Sequence, residues 1–130
     1  MSKQRILIID DNPMIAKMVG AWLEKTGLYA TRQENRPLLA LSTARRFKPD
    51  LVLIDVDMPE MDGNRVAYAL RRDPNLEETP ILFLTALPAK QEAEKGGRRG
   101  AKSIPKPISP AELIDHVAEA LAHPHEAVCG

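Results

Sequence analysis

The chain has 130 residues, the size of one ordinary domain, with 18 basic and 18 acidic side chains and a formal net charge of zero. Such a length buries a core without disulfide or metal staples, and the charge balance excludes a global field drawing the protein to nucleic acid or anionic lipid. The single cysteine, Cys129, has no partner in the chain, which excludes an internal disulfide framework and fits a reducing compartment; the expected location is the cytoplasm.

From the N-terminus the chain runs straight into Ile6, Leu7, Ile8 and Ile9 before Asp10, with no small-residue cleavage site, so no export signal is expected. Its apolar runs fall far below the roughly 20 residues a membrane-spanning helix requires. The run at Ile6 reads as a strand buried on both faces, as do Leu51, Val52, Leu53 and Ile54 before Asp55, and Ile81, Leu82, Phe83 and Leu84 before Thr85. Asn12 and Pro13 have the form of an N-cap and a first helical residue; Ile15, Met18, Val19, Trp22 and Leu23 supply the apolar spacing, and Gly27 marks the end. A more polar strand over 29–33 suits a sheet edge, and a second helix is expected over 37–47. A third should follow Gly63 with Val66, Ala69 and Leu70 inward, before the turn-rich stretch 73–80.

A fourth helix over 88–98 is charged, poor in apolar residues and broken by Gly96 and Gly97. A short strand at Ser103 and Ile104 leads to a last helix, opened by Ser109, Pro110 and Glu112 in the form of a capping box, with Leu113, Ile114, Val117 and Leu121 as its buried face. Strands alternating with helices imply a doubly wound α/β domain: a parallel sheet of five strands with helices on both faces. The domain is expected over 1–122, with 123–130 a mobile tail.

In an open parallel sheet ligands bind beyond the carboxyl ends of the strands. Asp10 and Asp11 close the first strand, Asp55 the third and Thr85 the fourth, and Lys106 follows the fifth, so the fold would gather all five side chains in one crevice. Carboxylates so close repel one another, and a cation must offset them. Oxygen-only ligands in an open site favour Mg²⁺. Asp11 and Asp55 are the expected direct ligands, Asp10 would hold a metal-bound water, and the backbone carbonyl of Asp57 could supply a further oxygen. An oxygen of Asp55 could then attack phosphorus, while Lys106 neutralises the transferring group and the Thr85 hydroxyl donates to it.

These residues resemble the response-regulator receiver family, the CheY-like switches of two-component signal transduction. The resemblance runs from about Arg5 to Leu121. It rests on Ile8-Ile9-Asp10-Asp11, on Pro49 through Asp55 followed by Met58-Pro59-Glu60-Met61-Asp62-Gly63, on Pro80 through Thr85 and Ala86, and on Lys106-Pro107. It implies a flavodoxin-like sheet of order 2-1-3-4-5 and a cis Lys106-Pro107 bond. It also implies Asp55 as the phosphoacceptor, magnesium organised by Asp10, Asp11 and the Asp57 carbonyl, and phosphoryl binding by Thr85 and Lys106. A sensor histidine kinase or a histidine phosphotransfer protein would be the donor. The product would be a signalling switch rather than an enzyme, catalysing only its own phosphorylation and dephosphorylation. A downstream protein would read the face of the fourth helix, fifth strand and last helix, with no direct contact to nucleic acid or membrane; a phosphorylation-linked homodimer is one form such a contact can take.

Two positions depart from the family pattern. Ser103 stands where many receivers carry an aromatic residue that reports the state of the threonine, and Asp57 puts an acidic side chain at a position that tunes the phosphoryl lifetime. A rival from another class is a haloacid-dehalogenase-type phosphatase using Asp55 and Asp57, but that family wants Thr or Val at Pro59 and an acidic pair after the lysine rather than at Asp10 and Asp11. A flavin-binding module would need a loop rich in Ser, Thr and Gly after the first strand, where Asp10, Asp11, Asn12 and Pro13 stand. Met58 and Met61 read as packing, His116 as a solvent-facing helix residue, and Arg98, Arg99 and Lys102 as a solvated face. The tail residues His123, His125 and Cys129 are too loosely placed to make a metal site.

Overall fold

The computed structural model describes residues 3–55, 63–85, 102–105 and 109–123, with 85 and 102–105 described by their backbone alone. Five strands, β1 (Gln4–Ile9), β2 (Tyr29–Glu34), β3 (Leu51–Asp55), β4 (Ile81–Thr85) and β5 (Lys102–Pro105), form one sheet in the order β2-β1-β3-β4-β5. Every neighbouring pair is parallel. Four helices are described: α1 (Pro13–Glu24), α2 (Ala40–Phe47), α3 (Gly63–Arg71) and α4 (Pro110–Ala122). This is the doubly wound, flavodoxin-like order that the resemblance implied.

Successive side chains of a strand point to opposite faces, so a strand covered on both sides must be apolar at every position. The central strands obey this rule. Ile6, Ile8, Leu51, Leu53, Leu82 and Leu84 join α1 and α4 in one core, while Leu7, Ile9, Val52, Ile54, Ile81 and Phe83 join α2 and α3 in the other. On β2 only Tyr29 is buried, as befits an edge strand.

Helix starts follow local chemistry. The Asn12 Oδ1 accepts from the N–H groups of Met14 (3.0 Å) and Ile15 (3.3 Å), with Pro13 in the first turn. The Ser109 Oγ accepts from the Glu112 N–H (3.2 Å), and the hydroxyl donates to the Glu112 carboxylate (2.9 Å). Helix α1 ends at Glu24, and Gly27 follows at φ 78°, a left-handed conformation that suits glycine. The second helix divides: Pro37–Leu39 forms a 3₁₀ turn and the α-helix begins at Ala40.

The structure refines the helix faces and corrects that of α3. The buried stripe of α1 is Ala16, Val19, Gly20 and Leu23, flanked by the partly buried Ile15 and Trp22, while Met18 is 44 % exposed. The cause is close approach: a Cβ at Gly20 would lie 3.0 Å from the side-chain nitrogen of Gln33, 3.1 Å from the Thr31 hydroxyl and 3.5 Å from Ile8. In α3 the inward residues are Val66, Ala67 and Leu70, with Ala69 exposed. In α4 the buried residues are Leu113, Val117 and Ala120, with Ile114 and Leu121 partly buried against them. In each helix the stripe keeps the spacing of three and four. His116 is exposed, as expected. The expected helix over 88–98, the Lys106-Pro107 bond, Met58, Met61, Arg98 and Arg99, and the tail beyond His123 lie outside the described residues.

A polar tie closes the side bearing α2 and α3. Arg45 of α2 donates through Nε to Asp73 Oδ2 at 2.5 Å, and Asp73 Oδ1 accepts the Asn75 N–H at 2.9 Å, shaping the turn after α3. The hydrogen bond from Arg45 and that from Asn75 hold the Asp73 carboxyl below the usual carboxylate range, against the opposing push of burial. A carboxyl lowered on folding adds stability above its unfolded value, and that stability is lost as pH falls through the lowered value. Asp73→Asn should therefore flatten the fall in urea-unfolding stability as pH drops below about 4. Parallel wild-type and variant curves across that window would refute this role.

Candidate metal and phosphoryl site

The carboxyl ends of β1 and β3 lie side by side, because Ile9 is paired with Ile54, and the residue after each is an aspartate, Asp10 and Asp55. Asp10, Asp11 and Asp55 meet there, each offering an oxygen within 4.8 Å of those of the other two. Asp10 is 1 % exposed and Asp55 5 %, while Asp11 is half-buried. Two unit charges at that distance repel by about 3 kcal/mol at an effective dielectric constant of about 20. Three hard oxygen donors so arranged fit a hard divalent cation, with the half-buried edge at Asp11 leaving room for water.

Asp10 is held at every polar group of its backbone. Its N–H donates to the Glu34 carbonyl (3.1 Å), and its carbonyl accepts from the Asn35 Nδ2 (2.9 Å). Its carboxylate Oδ1 accepts from the Asn12 N–H (2.9 Å). The carboxylate thus serves the turn into α1 as well as the cluster. Thr85 is the last residue of β4 and pairs with Pro105 of β5, so the backbone sets the end of the fourth strand beside the end of the fifth. Lys106 and Asp57 lie outside the described residues. Asn35 went unnoticed in the sequence although it too follows a strand end directly; the polar character of the whole edge strand hid it.

Among the described residues no helix is long and apolar enough to cross a membrane. Residues 6–118 match the family model of the response regulator receiver domain. The chain belongs to the response regulator receiver family. It is 33% identical over 113 residues to the polar-differentiation response regulator DivK of Brucella anthropi, covering 86% of this chain and 91% of that one. It is also 37% identical over 114 residues to the DNA-binding dual master transcriptional regulator RpaA of Synechocystis sp., covering 87% of this chain. The match spans about half of that longer regulator (47%), and the DNA binding in its name stays with it. Among solved structures, the receiver domain of the sensor histidine kinase PA1611 from Pseudomonas aeruginosa superposes with a TM-score of 0.78 at 27% identity, covering 93% of this chain and 99% of that one. A magnesium ion is coordinated in the active site cleft of that receiver.

Receivers of two-component response regulators are phosphorelay signalling switches rather than classical enzymes, and membership implies contact with histidine kinases or phosphotransfer proteins and with downstream targets. They bind Mg²⁺ at an acidic pocket, and this receiver has an aspartate cluster of that kind. The phosphatase alternative, which wants its acidic pair after Lys106, gains nothing from either the family match or the cluster.

Removing one charge should ease the repulsion and remove a cation ligand together. In EDTA, Asp11→Asn should raise unfolding stability by about 1 kcal/mol after allowance for screening by water. At saturating Mg²⁺, about 100 times Kd, the wild type should gain about 2.7 kcal/mol and the variant little. Urea unfolding with and without Mg²⁺ measures both, and an equal Mg²⁺ response in the two proteins would contradict the assignment.

Proposed function

We propose that this receiver accepts a phosphoryl group on Asp55 from the phosphohistidine of a sensor histidine kinase or a histidine phosphotransfer protein, in a magnesium-dependent reaction. The observation that carries the reading is the meeting of Asp10, Asp11 and Asp55 at the carboxyl ends of β1 and β3. Asp55 ends a strand whose every residue is buried, which fixes its backbone and limits where its carboxylate can point. Asp11 and Asp55 would hold the ion directly, Asp10 through a water, and the Asp57 carbonyl would add an oxygen. When bound, the ion supplies positive charge against the transferring phosphoryl oxygens.

An oxygen of Asp55 attacks phosphorus, and the bond from phosphorus to the donor's imidazole nitrogen breaks with its electron pair going to that nitrogen. An aspartyl phosphate results. Lys106 pairs with the phosphoryl oxygens and the Thr85 hydroxyl donates to one of them. Water later attacks the phosphorus and releases phosphate, restoring the Asp55 carboxylate, and the chain catalyses no reaction beyond these two. The acidic side chain of Asp57 affects how soon that attack comes.

The acyl phosphate carries about −1.5 to −2 charge where the Asp55 carboxylate carried one, with new acceptor oxygens, and draws Thr85 and Lys106 inward. The change reshapes the face of the expected fourth helix, β5 and α4, where a downstream protein or a second copy docks. The receiver unit spans 1–122 and works in the cytoplasm. Intact-mass spectrometry after incubation with acetyl phosphate and Mg²⁺ tests the reading: the wild type should gain one phosphoryl mass that hydroxylamine removes, while Asp55→Asn should gain none. A wild type that stays unmodified, or an Asp55→Asn variant labelled as fully, would overturn it.

A further inference from the structure

Pairing between β1 and β2 ends at Ile9 and Glu34, so Asp10 lies one residue past the last rung. A residue in that place ordinarily frays with the strand end. Here the end of the edge strand grips it on both sides, through the Glu34 carbonyl on the Asp10 N–H and the Asn35 side-chain amide on the Asp10 carbonyl. Asn35 comes from 25 residues further along the chain, so this is a tertiary tie rather than a local turn bond. The loop carrying it is braced in turn. One Glu34 carboxylate oxygen accepts from the Thr43 hydroxyl of α2 (2.5 Å) and the other from the Arg36 N–H (3.0 Å). Thr43 is itself buried.

We propose that Asn35 is a positioning residue for the magnesium site, acting through the backbone of Asp10; this rests on the reading of the cluster given under Proposed function. A ligand whose backbone is already fixed surrenders less freedom when the ion binds, so the affinity of the site depends on what fixes it. The β1–β2 ladder reaches Asp10 through its N–H, on the Glu34 carbonyl, and Asn35 adds a bond to its carbonyl from a side chain beyond the last rung. The Glu34 carboxylate, bonded to the Thr43 hydroxyl, connects the segment that carries Asn35 to α2.

Calorimetric titration with Mg²⁺ tests this, alongside urea midpoints in EDTA, for the wild type, Asn35→Ala and a core truncation on α4, Val117→Ala. Asn35→Ala should weaken Mg²⁺ binding about ten-fold, the scale of lost outer ligand support, while Val117→Ala lowers the midpoint at least as much and leaves Kd within about two-fold. Asn35→Ser keeps a hydroxyl donor on a shorter arm and should fall between wild type and alanine; it carries the test alone if the alanine variant does not fold. A wild-type Kd in both Asn35 variants overturns the inference and leaves the proposed function standing. Equal weakening by Asn35→Ala and Val117→Ala reduces Asn35 to general stability and overturns it too. A wild-type chain that takes up no Mg²⁺ overturns the proposed function, and the inference with it.

Discussion

Like charges held together at the end of a parallel sheet are the constraint on which the rest of this structure turns. Asp10, Asp11 and Asp55 bring their oxygens within 4.8 Å of one another, and two of the three are nearly closed to water. The pairing of Ile9 with Ile54 sets the next residues, Asp10 and Asp55, side by side. The repulsion is of the order of a few kcal/mol per pair. A fully buried Leu, Ile or Phe contributes about 1.5 to 3 kcal/mol, and the two faces of the sheet bury many of them. The cores therefore carry the electrostatic strain, and a divalent ion that relieves it binds with that relief added to its affinity.

The same imbalance connects fold to signal. A site held open by apolar packing is sensitive to any change in its charge, and a phosphoryl group on Asp55 would be such a change at the edge of two cores. Strand ends that share register lie side by side: Asp55 pairs with Leu84, and Thr85 with Pro105. The edge strand takes part as well, through the bonds from Glu34 and Asn35 to the Asp10 backbone.

Much of this was legible in the amino-acid order, for reasons that differ by element. The central strands announced themselves because burial on both faces leaves no room for a polar residue between Ile6 and Ile9 or between Leu51 and Ile54. The helix starts were legible because capping is local chemistry, written in Asn12-Pro13 and Ser109-Pro110. The cluster was legible because parallel strands present their ends together, which brings the distant Asp55 beside the adjacent pair Asp10 and Asp11. Helix faces were read less well. In α3 Ala69 was expected inward and Ala67 lies there instead, while in α1 Gly20 joins the buried stripe because the lack of a side chain lets the helix lie close on the sheet. Asn35 escaped for a related reason: a tie from a side-chain amide to a distant backbone carbonyl leaves no periodic trace.

If these three aspartates hold one divalent cation between β1 and β3, an anomalous scatterer in its place locates it. Crystals grown with Mn²⁺ in place of Mg²⁺, measured at the manganese absorption edge, test this most directly. One anomalous peak is expected in the crevice, about 2.0 to 2.3 Å from oxygens of Asp11 and Asp55, with a water bridging to Asp10. Manganese bound elsewhere with the crevice empty, or no peak at a concentration that saturates other receivers, would contradict it.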